Sequence, residues 1–215
     1  MSGLFITFEG MEGSGKSTLI SLLKDRLRDR GVKAAVTREP GGTPLGKNLR
    51  KILLDPAEAP PCSLGELFLY AADRAQHIEE IIKPLLKQAR VVLCDRFSDA
   101  TAAYQGYGRG ISLETINVID REARNGISPD FTVLLDLPPE EGLKRVRSRN
   151  EQSGANIESR MDDELPEFHR KVREGYLAIC AGDPDRFLVL DAMDKPDELA
   201  AKVIQELERR FPHVF

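Results

Sequence analysis

The feature that most constrains this chain is a glycine-rich stretch at residues 10–17, which reads GMEGSGKS. It fits the spacing G-x-x-x-x-G-K-[ST] of a phosphate-binding P-loop. An apolar run at residues 4–9 precedes it, and a segment with helical periodicity follows from Thr18. The motif requires this order of strand, loop and helix, because backbone N–H groups and the helix N-terminus then face phosphate oxygens. A glycine-rich turn that merely joins a strand to a helix is the alternative, and it leaves the spacing unexplained.

Two side chains of the loop have expected roles in binding a nucleoside triphosphate. Lys16 is expected to reach the β- and γ-phosphates, and the Ser17 hydroxyl is expected to be a ligand of Mg²⁺. The residues expected to contact the triphosphate are Gly10, Met11, Glu12, Gly13, Ser14, Gly15, Lys16, Ser17 and Thr18.

Length and charge limit the classes of protein to which the chain can belong. Its 215 residues are enough for one large domain, and a formal net charge of −4 argues against a nucleic-acid or anionic-membrane partner. No apolar run approaches the length of a membrane span, and the N-terminus has no signal-peptide anatomy, so we expect a cytoplasmic protein. The widely spaced Cys62, Cys94 and Cys180 resemble neither a zinc site nor a disulfide framework.

Apolar runs alternate with helical patterns along the chain, which predicts an α/β fold with a parallel sheet. Strands are predicted at residues 4–9, 32–37, 91–95, 131–137 and 187–190. Helices are predicted at residues 16–30, 45–54, 64–89, 98–105, 112–125, 138–149, 162–181 and 196–210, with a kink expected at Pro84. A polar stretch at residues 150–156 is expected to be mobile.

Charged residues follow the predicted strands where these end. Ligands of parallel sheets bind at the carboxyl ends of strands, so we expect the P-loop, Arg38, Asp95 and Arg96 to converge in one cleft. Asp95 is expected to hold Mg²⁺ through water, the alternative being a cap on a neighbouring loop. Together with Arg74 and Arg109, the two arginines favour a second anionic ligand, since guanidinium groups bind phosphate through paired hydrogen bonds. Solvated or ion-paired arginines are the alternative.

Further arginines flank the polar stretch, with Arg145, Arg147 and Arg149 before it and Arg160 after it. On a loop that closes, such residues stabilise the charge of a transferring phosphoryl group. A solvated basic helix face is the alternative. If the acceptor is a nucleoside monophosphate, no general base is needed, because its phosphate has a second pKa of about 6 and is already nucleophilic.

Five segments carry a resemblance to a known family, and they occur in that family's order. They are residues 8–18 (FEGMEGSGKST), 38–43 (REPGGT), 70–77 (YAADRAQH), 95–97 with 103–106 (DRF and AYQG) and 136–140 (DLPPE). Many families share the first segment, whereas the next three are far more specific. On these segments the chain resembles the thymidylate kinases, which phosphorylate dTMP to dTDP with ATP and Mg²⁺.

The resemblance implies a P-loop nucleoside monophosphate kinase fold with a five-stranded parallel sheet flanked by helices. It implies one domain over residues 1–215, with the P-loop at 10–17 and a mobile lid at about 147–160. It also implies a homodimer packed through helices, for which the largely apolar helix at residues 64–89 is a candidate interface. ATP and dTMP would be the small-molecule substrates.

By the same resemblance, Arg38 and Arg96 would hold the dTMP phosphate. Arg74 would hydrogen-bond a thymine carbonyl, and Thr101 and Gln105 would lie along the base edge.

The sugar and the ring faces have implied contacts as well. Tyr104 would crowd the ribose 2′ position, and Glu12 would lie near the 3′-OH. Tyr70 stands where the family usually has a Phe stacked on thymine, and its hydroxyl then needs a partner. Ala100 stands where the family commonly has Ser, which leaves Thr101 as the better candidate for a base contact.

Family members without a basic residue in the P-loop carry catalytic arginines in the lid, and this sequence resembles them. Arg149 and Arg160 are the preferred lid residues, with Arg147 the next candidate. Arg149 and Arg160 complete a catalytic set with Lys16 and Arg96. Two alternatives stay open: a kinase for another monophosphate such as dUMP, and a P-loop nucleotide switch, although the base-recognition pattern N-K-x-D of G proteins is absent.

Overall fold

Five parallel strands form the centre of the structure, a computed structural model that describes residues 3–56, 59–88, 90–153 and 159–214. The strands are β1 (Leu4–Glu9), β2 (Ala34–Arg38), β3 (Val91–Asp95), β4 (Phe131–Asp136) and β5 (Phe187–Asp191). Their order across the sheet is β2-β3-β1-β4-β5, and every neighbouring pair is parallel. The predicted five-stranded parallel α/β architecture is therefore confirmed.

Helices connect the strands. They are α1 (Lys16–Asp29), α2 (Pro44–Leu54), α3 (Ser63–His77), α4 (Lys83–Lys87), α5 (Ser98–Thr101), α6 (Leu113–Arg124), α7 (Pro139–Ser153), α8 (Pro166–Gly182) and α9 (Pro196–Arg210). Two π-helical segments, Ile78–Ile82 and Ala102–Gly108, join α3 to α4 and extend α5. None of the helices in these described ranges combines the length and the apolarity that crossing a bilayer requires.

Alternate residues of β1 separate the core into layers, because successive side chains of a strand face opposite sides of the sheet. Ile6 and Phe8 are fully buried in a cluster that also contains apolar residues of α1 and α9. Phe5 belongs to a second cluster with Ile78 and Ile82 of the first π-helical segment. The sheet is thus covered on both faces, as the apolar runs of its central strands require.

The long helix predicted at residues 64–89 is interrupted by a change of hydrogen-bond pattern. Lys83 N donates to Ile78 O, five residues earlier, directly before Pro84. Proline has no N–H group and its ring crowds the preceding turn, so the regular helical ladder cannot continue through it. The interruption thus lies directly before Pro84, where the kink was predicted.

Two further helix ends differ from the predictions by four residues. α8 begins at Pro166 rather than at residue 162, because proline fits the first turn of a helix, where its missing N–H group is not needed. α7 extends four residues past the predicted end, to Ser153. The expected mobile stretch therefore begins in helix, and residues 154–158 of the proposed lid lie outside the described residues.

Candidate active site

The carboxyl ends of β1, β2 and β3 open into one cavity of about 590 Å³. Residues 12–18 of the P-loop region, Arg38, Asp95 and Arg96 line it, together with residues of α3, of the second π-helical segment and of α7. Gly10 and Met11, which were also expected to contact the triphosphate, are not among the lining residues. The convergence that we predicted from strand ends is thus present in the structure.

The P-loop takes a backbone path that only glycine follows without strain. Gly10 and Gly13 have φ of 135° and 73°. A Cβ at Gly10 would lie 2.5 Å from the Leu135 carbonyl oxygen, and one at Gly13 would lie 2.4 Å from the Gly142 oxygen. The loop is therefore packed tightly against the end of β4 and the start of α7, which fixes the direction of its N–H groups.

Lys16 is folded back over this loop. Its Nζ donates to the carbonyl oxygens of Gly10 at 2.8 Å and of Met11 at 2.9 Å. Burial, followed by the charge of Arg96, lowers the pKa of Lys16 to about 8. Its third partner is the Ser14 hydroxyl, at 3.4 Å. A buried ammonium group with these neutral hydrogen-bond partners gains from a phosphate anion, which supplies an opposing charge.

Ser17 and Asp95 are neighbours at the mouth of the P-loop, where the Ser17 hydroxyl donates to Asp95 Oδ2 at 3.2 Å. Hydroxyl and carboxylate oxygens are the ligands that Mg²⁺ prefers, usually completed by water and substrate phosphates. The described residues contain no cluster of three or more His, Cys, Asp or Glu that could hold a metal ion by itself. This pair of oxygens accordingly fits a metal that arrives with a nucleotide.

Arg96 lines the cavity in a strained backbone conformation. Its φ of 68° lies in the left-handed region, which is uncommon for residues other than glycine, and its N–H donates to Phe8 O at 3.0 Å. Its guanidinium group donates to Glu12 Oε1 at 2.6 Å and to the Tyr176 hydroxyl at 3.2 Å. It also lies over the ring of Tyr104, 5.0 Å from the centroid. These contacts fix the orientation of the positively charged guanidinium group.

Glu12 is held in turn by the same cluster, because the Tyr104 hydroxyl donates to its Oε2 at 2.6 Å. Burial alone would raise the pKa of Glu12, but the charges of Arg96 and Lys16 hold it below its ordinary value. An anionic P-loop acid is therefore stable here because two cations flank it.

Glu9 lies beneath this cluster, and the sequence motifs did not single it out. Its carboxyl group is fully buried and accepts from Phe97 N at 2.8 Å and from the Tyr176 hydroxyl at 2.9 Å. Burial, with a further contribution from the charge of Asp99, raises the pKa of Glu9 to about 8. The available signal was an acid at the end of an otherwise apolar strand.

Arg74 forms part of the cavity wall although it is only 1% exposed. Its Nε donates to Glu39 Oε2 at 3.0 Å, and its Nη1 donates to Asp120 Oδ1 at 2.9 Å. Its Nη2 donates to Phe97 O at 3.1 Å and to Thr101 Oγ1 at 2.9 Å. Four hydrogen bonds thus hold a planar, donor-only group at the inner end of the cavity.

The family of the chain follows from its sequence as a whole. A family model described as Thymidylate kinase matches residues 8–203. The chain belongs to the thymidylate kinase family. It is 48% identical over 206 residues to the thymidylate kinase of Desulfovibrio desulfuricans, with 95% of each chain covered. It is 47% identical over 207 residues to that of Desulfosudis oleivorans, with 96% of this chain and 97% of the relative covered.

A solved structure agrees with this membership. The crystal structure of thymidylate kinase from Ehrlichia chaffeensis is similar to the chain with a TM-score of 0.76 and 33% identity. The similarity covers 97% of this chain and 100% of that one. The fold is accordingly that of the P-loop nucleoside monophosphate kinases, as expected from the resemblance.

The residues that the thymidylate kinase resemblance assigned to the second substrate lie around one cavity. The described residues of this set that line it are Glu12, Arg38, Tyr70, Arg74, Arg96, Thr101, Tyr104 and Gln105. Burial raises the pKa of Tyr70 above its ordinary value, so its phenol stays neutral. Ala100 lines the cavity as well and offers no polar side-chain atom.

The arginines predicted at the lid and cleft edge divide into two groups. Arg145 and Arg149 line the cavity, and Arg145 Nη1 donates to Ala192 O at 3.0 Å. Arg109 and Arg160 are not among the lining residues, because each is bound to Glu66. The structure therefore does not bring Arg160 to the P-loop in the conformation described.

Arg50 is a cavity residue that the sequence did not reveal. It lies on α2, where its Nη1 donates to Pro40 O at 3.0 Å. Burial, and then the nearby charge of Arg38, lowers the pKa of Arg50. An arginine within a helix gives no sign of its direction in the sequence, so only the structure places it beside Arg38.

Proposed function

We propose that this member of the thymidylate kinase family transfers the γ-phosphoryl group of ATP to dTMP, giving dTDP and ADP for dTTP synthesis. The observation that carries the proposal is the composition of the cavity. P-loop residues line it together with three arginines, Arg38, Arg74 and Arg96. A nucleotide switch needs only the P-loop.

The P-loop supplies the groups that bind a triphosphate. The backbone of residues 10–18 and the Lys16 ammonium group are proposed to bind the phosphates of ATP. Ser17 and Asp95 are the residues that would hold Mg²⁺, which neutralises phosphate charge when it is bound. Lys16 exchanges its carbonyl partners for phosphate oxygens in this proposal.

The arginine-lined part of the cavity is proposed to bind dTMP. Arg38 and Arg96 hold its phosphate, and Glu12 contacts the 3′-OH. Tyr104 lies against the 2′ position, where its buried ring leaves little space for a hydroxyl group.

The base is proposed to lie between Tyr70 and the inner wall. Arg74 donates to a thymine carbonyl, and Thr101 and Gln105 face the base edge. Since Arg74 is already held by four protein hydrogen bonds, its position is set before the base arrives.

Catalysis then consists of placement and charge neutralisation rather than proton transfer. The dTMP phosphate is itself the nucleophile, and Lys16 and Arg96 lie at the two sides of the reacting groups. Arg149 is proposed to stabilise the transferring phosphoryl group, with Arg160 joining it from the far end of the lid at about residues 147–160. That role requires Arg160 to leave Glu66.

A rate comparison across monophosphates tests the proposal. ADP release should rank dTMP above dUMP and both far above AMP, GMP and CMP. The thymine methyl group contributes about 0.8 kcal/mol, or roughly fourfold, so dUMP should be a poorer but measurable substrate. Faster turnover of a purine monophosphate would contradict the assignment.

Dependence on the acceptor separates a kinase from a nucleotide switch. ADP should form only when a monophosphate is added, apart from a slow background. Equal ATP hydrolysis without any acceptor would favour the switch.

We also propose that the protein acts as a homodimer in the cytoplasm, where ATP is available. Exposed apolar side chains on neighbouring helices support a helical interface, with Leu45 and Ile52 on α2 and Leu64 and Phe68 on α3. Light scattering should give twice the 24.0 kDa mass of one chain. A monomer mass at micromolar concentration would contradict it.

A further inference from the structure

Glu66 is a buried acid that lies directly behind the base end of the cavity. It is 1% exposed and is not one of the lining residues, although Tyr70, one helical turn further on, is. Its Oε1 accepts from Gln105 Nε2 at 2.7 Å, and its Oε2 accepts from Arg160 Nη2 at 2.7 Å. Arg109 contacts both oxygens at 3.3 Å. Glu66 is thus surrounded by donors alone.

This arrangement decides which way the Gln105 amide faces. A carboxylate has only lone pairs, so Gln105 must present its NH₂ group to Glu66. The amide oxygen then points away from Glu66. No described residue donates to Gln105 Oε1, and Gln105 lines the cavity. The protein accordingly offers the cavity an acceptor at this position.

The neighbouring groups complete a directional pattern. Arg74 can only donate, and four of its five N–H groups already donate to protein acceptors. Within the described part of the chain, one N–H of Nη1 is left for a ligand. Ala100 contributes no polar side-chain atom to this wall. A donor from Arg74 beside an acceptor from Gln105 matches a base with a carbonyl oxygen next to a ring N–H. A base with an amino group next to an unprotonated ring nitrogen presents the reverse pattern.

We propose that Glu66 is a specificity-determining positioning residue, which fixes the Gln105 amide so that the cavity accepts imide bases and rejects cytosine-type bases. The inference rests on the proposed function, since it assumes that the base of the acceptor lies at this end. It explains why an acid that does not line the cavity is buried here among three donor side chains.

A substitution that removes only the constraint on the orientation of the Gln105 amide tests the proposal. In Glu66→Gln the new amide both donates and accepts, so Gln105 is no longer forced into one orientation. The ratio of kcat/KM for dTMP to that for dCMP should fall about tenfold or more, because the discrimination that one buried hydrogen bond provides is then lost. Any effect through Arg160 or the lid acts on both substrates and cancels in the ratio.

Glu164→Gln is the matched control. Glu164 Oε1 binds Arg109 Nη1 at 2.6 Å but has no contact with Gln105, so this variant should keep the wild-type ratio. An equal fall of kcat/KM for both substrates in Glu66→Gln, with an unchanged ratio, would show that Glu66 only stabilises the fold. That result would overturn the proposal.

A second variant keeps the proposal testable if Glu66→Gln does not fold. Gln105→Met keeps the volume of the side chain but removes the amide, and it should lower the same ratio by a similar factor. An unchanged ratio in Gln105→Met would overturn the inference. If the wild-type protein instead fails to phosphorylate dTMP at all, the proposed function itself is wrong, which is a distinct result.

Discussion

Glu12 Oε1 and Arg96 Nη2 lie 2.6 Å apart and form an ion pair between the P-loop and the residue that follows β3. The side chains of both are 18% exposed, so the pair is only partly screened by water. The Tyr104 hydroxyl binds the other oxygen of Glu12. An acid among phosphate-binding groups therefore has a structural partner, which is the arginine proposed to receive the dTMP phosphate.

Glu12→Gln should impair the use of dTMP more than that of ATP. The substitution keeps the shape but removes the charge that directs Arg96, and hydrogen bonds to charged groups contribute about 1.5–3 kcal/mol. We expect kcat/KM for dTMP to fall by about 10- to 100-fold and KM for ATP to change by less than about threefold. Steady-state kinetics with each substrate varied in turn measures both quantities.

Glu140→Gln is the control for this prediction. Glu140 lies on α7 with its side chain 68% exposed and has one loose contact to Arg170, at 3.9 Å. It should leave both parameters unchanged. Equal losses for ATP and dTMP in Glu12→Gln would assign Glu12 a role in folding the P-loop instead.

Arg149→Ala should lower kcat with little change in ATP affinity. Arg149 is exposed and lines the cavity from α7, so it reaches the proposed transfer region. Arginines that stabilise a transferring phosphoryl group contribute roughly 10³-fold or more in enzymes that depend on them, and we expect a loss of about 10²–10³. Single-turnover rates with ATP and dTMP measure the step directly.

Arg147→Ala offers a matched control, because Arg147 is exposed on the same helix but does not line the cavity. Its kcat should stay within about twofold of the wild type. If Arg149→Ala and Arg160→Ala are both silent, the lid proposal is wrong.

The sequence predicted the groups whose position follows from local motifs. The P-loop lies between a strand and a helix, and Asp95 and Arg96 directly follow a buried strand, so sheet topology alone brings them together. By contrast, we expected Arg109 at the cleft edge and Arg160 in the lid, because the spacing of arginines in a sequence does not show with which acids they form ion pairs. Their common partner, Glu66, lies about 40 to 100 positions away in the chain, and such pairings are not encoded in local spacing.

The π-helical segment at Ala102–Gly108 is another feature that the sequence did not reveal, since its pattern predicted an ordinary helix that ends at residue 105. Arg109 N donates to Tyr104 O, five residues earlier. Glycines at positions 106 and 108 allow close packing, since a Cβ at either would lie 2.8 Å or less from Leu113 or Phe168. The wider turn depends on contacts with α6 and α8 and could not be derived from the 3.6-residue period.

Arg74→Met should destabilise the fold strongly. The substitution removes the buried cation that Glu39 and Asp120 share, and leaves Glu39 with its contact to His77 and Asp120 with its ion pair to Arg124. Breaking one half of a buried ion pair costs about 3–5 kcal/mol. Urea unfolding followed by circular dichroism measures the change in the free energy of unfolding. Arg28→Met is the control, since its side chain is 71% exposed and its ion pairs should contribute less than about 1 kcal/mol. Similar losses in both variants would contradict the prediction.

Glu9→Gln should change how stability depends on pH. The pKa of Glu9 is raised from 4.5 to about 8 in the folded protein, first by burial. Between these values the unfolded chain loses its proton while the folded chain keeps it. The contribution of Glu9 is therefore fully present below pH 4.5 and is lost as pH rises towards 8. Gln cannot ionise, so the variant should lack this loss.

The free energy of unfolding of the variant relative to the wild type should accordingly rise from pH 5 to pH 8, by at most about 1.4 kcal/mol per pH unit. Urea unfolding at pH 5, 6, 7 and 8 measures this difference. The Gln amide keeps both contacts, because its oxygen accepts from Phe97 N and its NH₂ group donates to the Tyr176 hydroxyl, which also accepts. A difference that stays constant with pH would mean that Glu9 is already ionised in the folded protein, with Arg96 as its counter-charge.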